Sequence, residues 1–230
     1  MNATLAITCV TLGFLCYHFL TQSPQFSPFF EKKWDGKKAK AYQVYAQLWI
    51  GALLYGLVPA IVFYLQGLDF QSIGVRFQAG ETTLRWWLGL GVVIVAITYF
   101  SSRKPDSLAI YPAIRVQPPW SKGMMLASAL SWAGYLLAYE FLFRGFLLFS
   151  CLEEMGALPA IAINTSLYAL VHVQKGWKET VGAIPLGIVF CLLSIHTGTI
   201  WIPFLVHVTM SWSNEWWSLW YLSSEAGKKM

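Results

Sequence analysis

Seven apolar runs, separated by short polar stretches, organise this chain. They occupy residues 3–20, 42–65, 84–100, 124–149, 158–173, 180–195 and 200–222. A run near or above ~18–20 residues is long enough to cross a hydrocarbon core as a helix, the one open-ended structure that satisfies its own backbone there. The pattern therefore predicts an all-α fold, a polytopic transmembrane helix bundle of about seven membrane helices. The fifth and sixth runs, sixteen residues each, are short, which places them within the bundle rather than fully against lipid.

Composition agrees with this class. The 230 residues are 57% hydrophobic and only 12% charged, values that exclude an ordinary soluble domain. The first run is read as a retained helix and not a signal peptide. It lacks a basic leading segment, and Thr21-Gln22-Ser23-Pro24 follows it in place of a small-x-small cleavage site. The expected organisation is one bundle: residues 1–122 supply N-terminal helices and basic loops, 123–222 the core helices that carry chemistry, and 223–230 a cytoplasmic tail.

Charge gives a topology. Thirteen of the 16 Lys and Arg residues fall in the first, third and fifth loops and the tail, with Arg76 and Arg85 on the other side and Arg144 inside a run. By the positive-inside rule the N-terminus is outside and the C-terminus cytoplasmic. The net charge of +5 records this topology and gives no support to nucleic-acid binding, because the cations are divided among separate loops. Cys9, Cys16, Cys151 and Cys191 lack paired spacing and read as small apolar packing residues. Trp and Tyr cluster at the ends of runs, as an interfacial belt does. Oligomeric state leaves no mark in the sequence.

Against this background Glu140 and Arg144 stand out, four residues apart within the fourth run. Ionisable groups at such depth cost roughly 2.5–3.5 kcal/mol each on insertion scales. The acid precedes the base, the favoured order, so the pair has a bland reading as mutual neutralisation of two buried charges. His172 ends the fifth run and reads either as a boundary residue or as part of a buried group; His207 lies inside the seventh. The polar turn at Glu153-Glu154-Met155-Gly156 brings Tyr139 and His172 to equal depth, each some ~25 Å of helix from it. Whether His207 joins them depends on how far the turn near Gly198 dips inward. His18 and His196, at segment ends, receive no role. Metal is disfavoured because no His-Glu-x-x-His spacing places two ligands on one helical face, and no cofactor is called for.

The strings Glu140-Phe-Leu-Phe-Arg144-Gly145-Phe146, Tyr168-Ala-Leu-Val-His172, and Gly198-Thr-Ile-Trp201-Ile-Pro203 leading to His207 resemble the CAAX-protease and bacteriocin-processing family of glutamic-type intramembrane proteases, also called the Abi family. The resemblance covers about residues 123–215. It implies an endopeptidase in which the first glutamate of a pair and a histidine activate water, while a second histidine and a polar residue four positions later stabilise the oxyanion. By position, His172 matches the water-activating histidine, His207 the oxyanion histidine, and Arg144 the motif arginine. Two positions depart from the pattern. Tyr139 stands where the first glutamate is usual, with Glu140 at the second, and Ser211 stands where asparagine is usual, with Asn214 a possible substitute.

The catalytic set implied by the resemblance is thus Glu140, His172, His207, Tyr139, Arg144 and Ser211. Glu140 serves as the base with His172, after a small helix rotation if one is needed. The partners are a membrane-embedded or lipidated peptide substrate and the lipid bilayer. Two other readings stay open: an inactive relative that binds a membrane peptide as an immunity, chaperone or scaffold protein, and a transporter or channel. The last lacks an inverted repeat and an evident relay.

Overall fold

A computed structural model describes residues 2–76 and 80–227. Within them there is no strand, and every apolar run of the sequence is helical. Numbered along the chain, α1 is Ala3–Thr21, α2 Phe26–Lys33, α3 Gly36–Leu65, α4 Gly80–Ser101, α5 Pro105–Ile110, α6 Lys122–Met155, α7 Ala157–Val171, α8 Trp177–Thr197 and α9 Trp201–Gly227. Among the described residues five helices, α1, α3, α4, α6 and α8, are long and apolar enough to cross a membrane. The remaining two runs differ in kind: α7 has 15 residues, and α9, with 27, carries Ser211, Ser213, Asn214, Glu215 and Ser218. Where a separate tail is expected from residue 223, α9 continues to Gly227, and Lys228 and Lys229 lie outside the described residues.

Local chemistry sets several of these boundaries. Asn2 caps α1 by accepting the Leu5 N–H at 2.9 Å, and Ser121 caps α6 through the Met124 N–H at 3.2 Å. Gly156 (φ 81°) makes the one-residue reversal between α6 and α7, and Gly198 (φ 65°) ends α8; both backbones lie where a side chain is strained. The α6 helix is the axis of the bundle. Its most apolar window is 83% buried, against 11–33% for the other four spanning helices, which turn leucine, isoleucine and valine outward as lipid-facing helices do.

The loops sort to two ends. At one, Gln174 hydrogen-bonds the His18 ring at 2.8 Å, Lys178 pairs with Asp106, and the Ala113 N–H reaches Glu215 at 2.9 Å. The basic loops thus gather together. At the other end the Ala3 N–H donates to Glu154 at 2.9 Å, and Arg76 Nε donates to the Gly198 carbonyl at 3.0 Å.

Two widened π turns interrupt the helices, Leu53–Leu57 in α3 and Phe141–Leu147 in α6. Such turns recur at functional sites because they redirect side chains within an otherwise rigid element. The two helices touch beside them: a Cβ added at Gly56 would lie 2.6 Å from that of Ala138, so the approach requires glycine. Asn164 on α7 braces the α6 turn. Its Nδ2 donates to the Phe143 carbonyl at 2.5 Å, and its Oδ1 accepts from Cys191 Sγ on α8 at 3.2 Å.

Candidate active site

Glu140 closes the regular first part of α6, and Arg144 sits in the widened turn that follows. Both side chains are fully buried, with Arg144 Nε 3.4 Å from Glu140 Oε2. The guanidinium carbon stacks 4.0 Å from the centre of the Tyr168 ring and 5.2 Å from that of Phe190. Aromatic faces are a favourable seat for a cation removed from water. The other carboxylate oxygen, Oε1, accepts a hydrogen bond from His207 Nδ1 at 2.6 Å. His207 therefore joins the group, which settles the depth left open by the turn near Gly198.

Protonation follows from this pairing. Glu140 and Arg144 already cancel in charge, so the His207 imidazole fits as the neutral tautomer that carries its proton on Nδ1. That leaves a lone pair on Nε2. His172 is set the same way by a different partner: its Nδ1 lies 2.7 Å from the Tyr168 carbonyl, which only accepts, so the neutral ring again keeps Nε2 as an acceptor.

The two imidazoles meet at Tyr139. Its ring centre lies 6.3 Å from that of His172 and 5.9 Å from that of His207, edge-on to both, and its face stacks on Phe143 at 4.6 Å. The hydroxyl is buried with no hydrogen-bond partner among the described residues. A cavity of about 160 Å³ opens beside this cluster, with Tyr139, His172, His207 and Ser211 among its walls. Glu140 and Arg144 do not line it, and neither does Asn214. Gln22, Gln174 and Lys175 also line it, residues of the end where the basic loops gather, together with Gln47 from within α3.

All six residues singled out in the sequence thus fall in one cluster, but in two layers. Tyr139, His172, His207 and Ser211 face the cavity, while Glu140 and Arg144 stand behind His207. The carboxylate contacts His207 rather than His172. Tyr168 and Asn164 are further members that the sequence reading does not assign. Tyr168 is visible as the aromatic four residues before His172; Asn164 has no signal beyond being an amide inside an apolar run.

Residues 119–213 match the family model of the type II CAAX prenyl endopeptidase Rce1-like proteins. This segment is thus similar to the CAAX-protease family. The Rce1-like segment takes in α6, α7, α8 and about the first half of α9, and with them every residue of the cluster; α1 to α5 and Glu215 lie outside it. No curated protein and no solved structure matches the chain. Family and fold together make this an integral, multi-pass membrane protein related to intramembrane endopeptidases.

Proposed function

We propose that the protein is an intramembrane endopeptidase that hydrolyses a membrane-associated peptide or C-terminal tail with water activated by the Glu140–His207 pair. The observation that carries this reading is the 2.6 Å contact between Glu140 Oε1 and His207 Nδ1, with the imidazole in the cavity wall and the carboxylate behind it. A carboxylate in that position holds the ring in one tautomer and stabilises the imidazolium when it forms. His207 Nε2 takes a proton from water as the water oxygen bonds to the peptide carbonyl carbon. His172 Nε2 accepts the second water proton in a hydrogen bond and so aims the oxygen. The unpartnered Tyr139 hydroxyl, with Ser211, donates to the oxyanion. His207 then returns its proton to the leaving amine as the C–N bond breaks.

In this scheme Glu140 acts through His207, and Tyr139 serves as a donor and never as a base, which suits a phenol with an ordinary pKa of ~10. Gln22, Gln174 and Lys175 extend the cavity lining toward the basic loops, which the positive-inside rule assigns to the cytoplasm. A substrate then enters from the cytoplasmic side or laterally from the bilayer.

The test is cleavage of a membrane-tail peptide library by purified protein in nanodiscs. Wild type should cut, and Glu140→Gln and His207→Ala should each lose roughly 10²–10⁴-fold in kcat. Full activity in both variants overturns the mechanism. Cleavage by Tyr139→Glu alone identifies the natural chain as a peptide-binding relative without proteolysis.

A further inference from the structure

Glu215 is a second fully buried carboxylate, 1% exposed, and it plays no part in the chemistry above. It stands on the same face of α9 as His207 and Ser211, at a spacing of four residues. Among the described residues no Lys or Arg forms an ion pair with it. Instead Oε2 accepts the Ala113 N–H at 2.9 Å and Oε1 accepts the Ser128 hydroxyl at 3.2 Å. A carboxylate kept at such depth for a backbone amide has been placed where that amide must be held.

Ala113 belongs to the strap between α5 and α6. The strap is sunk into the bundle: Ile114 is 0% exposed and packs with Ala41 of α3 and Leu219 of α9. Tyr111 packs with Trp132 and Leu136 of α6 and forms part of the cavity wall. Farther back, Asp106 pairs with Lys178, and Arg115 donates to the carbonyls of Leu108 and Ala109. Glu215 supplies a side-chain hydrogen bond from α9 to the strap's backbone.

We propose that Glu215 is a positioning residue: by fixing Ala113 it seats Tyr111 as a wall of the reaction cavity. The cavity half of this inference rests on the endopeptidase reading; the structural half does not.

The experiment compares wild type, Glu215→Ala and Glu215→Gln as full-length protein in nanodiscs. Amide hydrogen exchange comes first and needs no substrate. In Glu215→Ala, exchange across residues 111–116 should rise roughly tenfold or more while α6 and α9 keep their protection. Glutamine, whose amide oxygen still accepts from Ala113, should hold exchange within about threefold of wild type. Unchanged exchange in Glu215→Ala, or an equal rise through the whole bundle, overturns the positioning role. If Glu215→Ala does not fold, Ala113→Pro removes the donor from the strap side, and the same local rise is expected; unchanged exchange over the rest of the strap overturns the role again. With cleavage as readout, KM for a tail peptide should shift about tenfold in Glu215→Ala with kcat within about twofold, and Glu215→Gln should restore it. A loosened strap with KM unmoved overturns the cavity half. Failure of every variant and of wild type to cut any peptide refutes the endopeptidase reading, and the exchange data still decide the role of Glu215 in holding the strap.

Discussion

Among the described residues Glu140 pairs with one cation, Arg144, and Arg144 with one anion, so charge balance at the centre is a matter between two side chains on one helix. Removing either partner strands the other in a dry interior. Arg144→Met should therefore destabilise the protein by about 3–5 kcal/mol, and adding Glu140→Gln to it should recover more than half, because two neutral groups replace one uncompensated charge. Thermal unfolding of the two variants in the same detergent checks this; a double variant no better than Arg144→Met argues that packing, not charge, is what Arg144 supplies. Tyr139 poses the sharper chemical question. If its hydroxyl meets the oxyanion, Tyr139→Phe should lower kcat about 10²-fold and leave KM alone. A kcat equal to wild type would remove the hydroxyl from the mechanism while leaving the His207–Glu140 pair in it.

At the scale of elements, the site depends on a turn that no sequence pattern announces. The apolar run through residues 124–149 reads as one uniform helix, and it is one by length, yet Phe141–Leu147 is wound more widely. Hydrophobic periodicity distinguishes helix from strand but not one hydrogen-bond register from the next, so the widening stayed invisible. What was legible was spacing: the turn at residues 153–156 correctly brought Tyr139 opposite His172, because two antiparallel helices share a ruler. The partnership of His207 with Glu140 was not legible, since it depends on how deeply α9 starts and on a π turn. Asn164 holds that turn. Asn164→Ala leaves the Phe143 carbonyl short of a donor and should cost about 1–3 kcal/mol. Gly56→Ala should cost a similar ~1–3 kcal/mol by driving a methyl against Ala138. Both are read by the melting temperature in nanodiscs; an unshifted melt for Gly56→Ala means that α3 can retreat from α6 without loss.

For the whole molecule, the distribution of Lys and Arg foretold which loops share an end, and the contacts of Gln174 with His18 and of Lys178 with Asp106 put those loops together. The fold class was legible for a plain reason: a chain this apolar has few soluble options. The number of crossings was less so, because α7 and α9 trade apolar length for polar groups that face inward. If the basic end is cytoplasmic, a single cysteine at Lys104, in a chain freed of its four native cysteines, should be shielded from an impermeant maleimide in intact cells. One at Asp69 should be labelled. The reverse pattern inverts the proposed topology and moves the basic end to the outer face.

The pairing of Glu140 with Arg144 on a single helix also bears on how the protein is made. Compensation between residues of different helices must wait until both have arrived, and the first comer enters the bilayer as a bare ion. Here the acid carries its counter-ion four residues behind it on the same segment, so α6 can leave the translocon as a nearly neutral unit long before α9 is synthesised. His207 then docks onto a carboxylate already at rest in lipid. The candidate site is completed last, by the arrival of an uncharged ring.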